Sequence, residues 1–307
     1  MGNKPVVCVG AALIDESFSL LENPLQGTSN PATYYHSAGG VARNIAYHLA
    51  LLGHAVELIS HFGLDTDGQW LMEQCTLSGI SISHSLKNNL PTGRFAALLS
   101  PTGELFIGAA ASELESEITP SFLSEKISLL QSASVLLVEC NLSCDSLDWI
   151  IEFSRKEKIP CIIEPVSVPK AKRLMNVNLQ NILLVTPNQD ELVALNSTQL
   201  EKSEEELIGE LLQRGVQNVW IKNGKAGSRF YSAMSMYELS APTVKVADTT
   251  GAGDAALAGW IHGWLLKKNS ADCLRYGHAM ASIILKVKGT VYKNLNADLL
   301  EKTIVNY

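Results

Sequence analysis

Short runs of β-branched and other apolar residues alternate along this chain with longer stretches of helical period. Val6–Gly10, Val56–His61, Val135–Cys140, Cys161–Glu164, Ile182–Val185 and Val219–Lys222 read as strands. Most are apolar at nearly every position, as expected when both faces of a sheet are covered. Between the first two of these strands lies helical spacing: Val41, Ile45, Leu49 and Leu52 recur at one-turn intervals and Gly53 stops the run. Further helices are predicted over Pro120–Leu130, Cys144–Lys156, Ser203–Arg214, Ala252–Lys267 and Ala271–Lys286. Strands alternating with helices predict an α/β fold, with a doubly wound, mainly parallel sheet flanked by helices.

Two stretches break this rhythm. Ser17–His36 carries short strand-like pieces, Pro24, Gly27 and Pro31, and no helical period. Thr92–Gly108 reads as a hairpin, Arg94–Ser100 and Leu105–Gly108 joined by Pro101-Thr102-Gly103-Glu104. Together they predict a small β-sheet lid, residues 15–36 and 91–109, inserted into a large α/β domain of residues 1–14, 37–90 and 110–307. Two unrelated surface hairpins are the alternative. A lid sheet with one apolar face and open edges would pair between subunits, which predicts a homodimer through the lid.

Of the 307 residues, 46% are hydrophobic and 18% charged, which excludes a disordered chain. The net charge of −7 argues against nucleic-acid and anionic-membrane partners, which require a basic face. No apolar run reaches the ~18 residues of a membrane span. No signal peptide is apparent, and the six cysteines are scattered without a CxxC pair, so a reduced cytoplasmic setting is expected. His36, His61, His262 and His278 lack metal-ligand spacing.

The strongest chemical signal is Asp248-Thr249-Thr250-Gly251-Ala252-Gly253-Asp254, running into the apolar helix that starts at Ala252. The first N–H groups of a helix have no internal partner and carry partial positive charge. Small residues let a phosphate approach them closely. Asp254 sets a carboxylate in the same first turn, where it would repel phosphate. Proton abstraction from an attacking hydroxyl is the functional reason for such a residue; a helix start favoured by the dipole is the plain one. Neither a Walker A pattern nor a GxGxxG fingerprint occurs, which disfavours P-loop NTPases and NAD enzymes.

Asp248–Asp254 resembles the C-terminal signature of the ribokinase (PfkB) family. Four further pieces resemble that family's motifs, in its order: Gly39-Gly40-Val41-Ala42-Arg43-Asn44, Gly63–Gly68, Pro187-Asn188-Gln189-Asp190-Glu191 and Lys222–Gly227. The resemblance spans nearly the whole chain. It implies an ATP- and Mg²⁺-dependent kinase acting on a primary hydroxyl of a sugar or nucleoside, with a K⁺ requirement left open. It implies Asp254 as catalytic base and the backbone of Gly251, Ala252 and Gly253 as anion hole. Asn188 and Glu191 would order Mg²⁺ through water. Lys222, Gly224, Gly227 and Thr249 would lie along the nucleotide. Asp15, Gly39, Gly40 and Asn44 would form the sugar pocket.

Each position has a plainer alternative. Asn188 and Glu191 also fit a capping box, Lys222–Gly227 a hairpin turn, Gly39-Gly40 a turn before a helix, and Asp15 a strand-end acid. Smaller matches resemble the pseudouridine kinase subgroup: Ser29-Asn30-Pro31, Arg43-Asn44, Glu139–Ser143 and Glu164–Ser167. They add Asn30 and Arg43 to the expected substrate residues, with Arg43 reaching a base carbonyl or phosphate or lying exposed in a first helical turn. Arg94 and Phe95 would lie in the lid, Phe95 stacking on a base. Glu164 departs from the family's usual Asp before Pro. Ribokinase- or fructokinase-type sugar kinases, other nucleoside kinases, and a non-catalytic ligand-binding regulator are the alternative functions.

Overall fold

The computed structural model describes residues 4–196, 202–287 and 289–305. The chain opens with strand β1 (Val6–Val9), then the hairpin β2 (Leu13–Leu20) and β3 (Ala32–Gly39), which leads into helix α1 (Val41–Leu51). Strands β4 (Val56–Ile59) and β5 (His61–Gly63), helix α2 (Thr66–Leu77), and strands β6 (Ile80–Ser81) and β7 (Leu86–Asn88) follow. A second hairpin, β8 (Arg94–Leu99) and β9 (Leu105–Ala111), precedes three short helices: α3 (Leu114–Glu117), α4 (Pro120–Ser124) and α5 (Ile127–Ser132). Next come β10 (Val135–Glu139), α6 (Cys144–Glu157), β11 (Cys161–Glu164), α7 (Val168–Ala171) and β12 (Leu184–Val185). Helices α8 (Gln189–Asn196) and α9 (Glu204–Gln213) lead to β13 (Asn218–Lys222), β14 (Ser228–Ser232) and β15 (Met236–Leu239). Helices α10 (Ala252–Leu265), α11 (Ser270–Ile284) and α12 (Ala297–Ile304) complete the described chain.

Nine strands form one sheet in the order β15-β14-β13-β12-β11-β10-β1-β4-β6. It is parallel from β13 to β6, and β14 and β15 add an antiparallel edge. All four residues of β1 and all five of β10 are buried, as their apolar runs predict. One apolar core lies on the α6 and α9 side, built on Ile150, Leu211 and Ile163. A second lies under α1 and α10, where Trp220, Trp260 and Phe230 are almost fully buried.

Both irregular stretches meet in one separate sheet, order β3-β2-β8-β9, joined by parallel pairing of β2 with β8. Strand β2 begins earlier, and β3 and β9 end later, than the sequence suggests, so Asp15 lies inside β2. Asp65 fastens the entry to this sheet. Its carboxylate accepts from Gly68 N–H at 2.7 Å, capping α2, and from Thr92 N–H at 2.9 Å and Thr92 Oγ1 at 2.6 Å. This gives the Gly63–Gly68 piece a structural task. The single helix expected over Pro120–Leu130 is two short helices separated at Glu125-Lys126. The strand expected over Ile182–Val185 shortens to Leu184–Val185.

Candidate active site

Strand order reverses between β1 and β10: β1 leads to β4 on one side, and β10 to β11 on the other. An open α/β sheet has a crevice beyond the carboxyl ends of its strands at such a point. Glu139 ends β10 there and is fully buried. Its Oε1 accepts from Ala11 N–H at 2.7 Å and from the Asn141 amide at 2.6 Å; its Oε2 accepts from Ala42 N–H at 3.0 Å. Burial pushes this carboxyl upward in pKa, and those donors oppose the shift. One carboxylate thus ties together the end of β1, the start of α1 and the end of β10. A side chain on Gly10 would begin 2.0 Å from Glu139, so only glycine admits this approach.

Across the crevice, the first turn of α10 is entered through Gly251 in the left-handed region, φ 73°. Asp254 stands in that turn. Its Oδ2 accepts from Asn44 Nδ2, on the first turn of α1, at 2.9 Å. Burial lifts the Asp254 carboxyl to about 7, with Glu164 and Glu139 adding to the rise while Asn44 and Lys222 oppose it. Ala252 N–H donates weakly to the Thr249 carbonyl at 3.3 Å. A carboxylate titrating near neutrality beside the N–H groups of a helix start can accept a proton while those groups hold an anion.

Beside this turn, Lys222 at the end of β13 donates to Glu164 Oε2 at 2.8 Å, and Thr186 Oγ1 donates to the same oxygen. Asn188 and Glu191 close a reciprocal pair at 2.9 Å each: Asn188 Oδ1 accepts from Glu191 N–H, and Glu191 Oε2 accepts from Asn188 N–H. The capping-box reading of this pair is therefore what the geometry displays. Burial, reinforced by Glu164, raises the Glu191 carboxyl.

On the other side, Asp15 lies against Gly39, where an added Cβ would come 2.0 Å from its carboxylate. Burial raises Asp15 to about 6, and Arg43 opposes the rise. Gly40, at φ 97°, packs on the Ala11 carbonyl and starts α1.

Residues 3–297 match the profile of the pfkB family carbohydrate kinase. The chain belongs to this family. Pseudouridine kinase of Escherichia coli (strain K12) is 30% identical over 305 residues, covering 98% of this chain and 95% of that protein. Ribokinase of Arabidopsis thaliana is 26% identical over 299 residues, covering 94% of this chain and 77% of that protein. The structure of Arabidopsis thaliana ribokinase complexed with ribose and ATP shares the fold, with TM-score 0.80 at 22% identity over 99% of each chain. This protein is thus a PfkB-family sugar or nucleoside kinase with a ribokinase-like fold.

The structure of this PfkB kinase brings Asp254, Asn44, Gly251, Ala252, Gly253 and Lys222 to one place, with Asp15, Gly39 and Gly40 nearby. Several other expected residues are engaged by the protein itself. Arg43 is 3% exposed. Its guanidinium donates to the Ala38 carbonyl at 3.1 Å and Asn44 Oδ1 at 3.2 Å, and lies over the Tyr47 ring. The expectation of an exposed or ligand-reaching arginine gives way to one that orients Asn44, because α1 is buried from Ala42 to Leu49. Asn30 bonds inside its own loop, to Leu25 and Thr28. Arg94 pairs with Glu16 at 3.3 Å and with Asp67, while Phe95 packs its ring toward Gly108. Gly224 and Gly227 make the tight turn after β13, and Thr249 is exposed in the loop before α10.

Sequence reasoning assigned no role to Glu139, Asn141 or Lys170. Lys170, on α7, donates to Asn141 Oδ1, and Asn141 donates to Glu139, so the three form a chain into the crevice. The Glu139–Ser143 match and an acid closing an otherwise apolar buried strand were the available signals for Glu139.

Proposed function

We propose that this kinase transfers the γ-phosphoryl group of ATP to a primary hydroxyl of a ribose-like substrate, with pseudouridine as preferred acceptor and pseudouridine 5′-phosphate as product. The observation that carries the reading is Asp254 in the first turn of α10, hydrogen-bonded by Asn44 from the first turn of the neighbouring helix α1. Asp15, Gly39 and Gly40 are the sugar side of the pocket. Asp254 takes the hydroxyl proton; the oxygen forms its bond to the γ-phosphorus as the bridging P–O bond to ADP breaks. The N–H groups of Gly251, Ala252 and Gly253 stabilise the charge that develops on the transferred group.

Bound Mg²⁺ would neutralise charge on the β- and γ-phosphates. Buried Glu191 and Glu164 suit such a cation. Asn188 and Glu191 would order the metal through water, beside the phosphates. Asp248 is already engaged, accepting from Thr250 and from Gly289 N–H at 2.9 Å. Assay in K⁺-free buffer tests whether K⁺ is required.

Support for pseudouridine comes from the Escherichia coli relative and from Asn141 and Lys170, whose amide and ammonium suit the carbonyl and N–H edge of a uracil-like base. The small sheet covers the pocket as a lid. Its strand β9 leaves Leu105, Phe106 and Ile107 more than half exposed, and a second copy is the occupant we assign to it. Steady-state phosphorylation of pseudouridine, uridine, adenosine, ribose and fructose tests the assignment. Pseudouridine should show the highest kcat/KM; ribose in first place would move the reading to a sugar kinase.

A further inference from the structure

Lys222 is placed for a task that neither a structural turn nor general nucleotide binding explains. Its ammonium is 2.8 Å from Glu164 Oε2 and 3.7 Å from the point where a side chain on Gly253 would begin. It therefore faces the positive end of α10, and an anion lying between the two would be drawn by both. Three carboxylates surround it, Glu164, Glu191 and Asp254, and only Glu164 is within hydrogen-bonding distance. Thr186 Oγ1 binds that same Glu164 oxygen and fixes the carboxylate from its other side. The longer Glu164 side chain, in place of the Asp that the family resemblance leads one to expect, supplies the reach to Lys222.

We propose that Lys222 is a catalytic residue that contacts the transferring phosphoryl group, and that Glu164 is the positioning residue that aims it. The inference rests on the proposed phosphoryl site at the start of α10. During transfer the acceptor oxygen bonds to phosphorus, its proton passes to Asp254, and the electron pair of the breaking P–O bond leaves with ADP. Lys222 keeps its proton throughout and offsets the negative charge on the equatorial oxygens, opposite the α10 amides. In the resting enzyme it offsets Glu164 and Asp254. ADP, which has no γ-phosphate, makes no contact with it.

The test compares Lys222→Met, Lys222→Arg and Glu164→Asp with wild type, using the best acceptor of the substrate panel. Lys222→Met should lower kcat by ~10²–10³-fold, as removal of one transition-state donor does. ADP affinity by calorimetry should stay within about threefold, while affinity for ADP with aluminium fluoride, Mg²⁺ and acceptor should fall in step with kcat. Lys222→Arg should restore part of the loss, and Glu164→Asp should lower kcat by about tenfold with unchanged ADP affinity. An unchanged kcat in Lys222→Met, or ADP affinity falling as steeply as kcat, overturns the proposal. If Lys222→Met does not fold because Glu164 is left unpaired, the double variant Glu164→Gln/Lys222→Met removes both charges and is judged by the same criteria. Asp254→Asn separates the two readings. If it retains turnover, the site at α10 is wrong; if it loses turnover while Lys222→Met does not, only the role of Lys222 is wrong.

Discussion

The crevice at the ends of β1 and β10 and the small sheet above it are built on opposite terms. Every residue of β1 is buried, whereas every residue of β9 is exposed. In the first region, layers on both faces fix the strand ends, and glycines at 10 and 39 let carboxylates pack against bare backbone. In the second, β2 and β8 join the two hairpins, and the Asp65 bonds to Thr92, the Arg94–Asp67 pair and the buried Ile14 and Ala38 tie the sheet to the larger domain. Rigid placement suits the transfer step, which loses rate steeply when groups shift by about 1 Å. A lightly attached sheet suits enclosure of substrate.

Four substitutions break or sharpen this contrast. The largest effect is expected for Asp254→Asn, with turnover reduced ~10²–10⁴-fold. The same residue sets a pH limb. A base must be ionised, so kcat/KM should fall as pH drops through about 7, with Asp15 contributing near 6. For stability the sign is opposite. The folded pKa of Asp254 lies above the ordinary aspartate value of 3.8, so its contribution is fully present below about 4 and is lost as pH rises through about 7. Asp254→Asn should therefore melt no lower than wild type at pH 8.

Next is Gly39→Ala, whose Cβ would displace Asp15. Acceptor KM should rise by about tenfold or more while ATP KM stays put. Asp65→Ala removes a helix cap and the bonds to Thr92, and should cost ~1–2 kcal/mol in a urea melt. The smallest change in stability is expected at the exposed small sheet: Phe106→Lys should stay within about 0.5 kcal/mol. It should nonetheless convert dimer to monomer in sedimentation equilibrium. A wild-type monomer at working concentration would remove the assigned role of β9.

What the sequence made legible follows the same division. Strands buried on both faces announce themselves as apolar runs, and Val6–Val9, Val135–Glu139 and Cys161–Glu164 were readable to within a residue or two. Helix α2 was not, because only Gly68, Leu71 and Cys75 of its residues are buried and the period is faint. The five motif pieces pointed to Asp254, Asn44 and Lys222. Glu139 was singled out in the Glu139–Ser143 match, but its task stayed hidden because its backbone donors come from Ala11 and Ala42, 128 and 97 residues away. Arg43 misled for a related reason. A first-turn arginine is ordinarily exposed, and nothing local says that α1 is packed on nearly every side.

The central claim is that Asp254 accepts the proton of a nucleoside 5′-hydroxyl at the switch-point crevice. The most direct measurement is single-turnover transfer from ATP to pseudouridine by wild type and Asp254→Asn, with the product's phosphate position read by ³¹P NMR. Phosphate on the 5′ oxygen, formed ~10²-fold or more slowly by the variant while both bind ATP alike, is the predicted result. Equal rates in the two proteins, or phosphate on another oxygen, would contradict it.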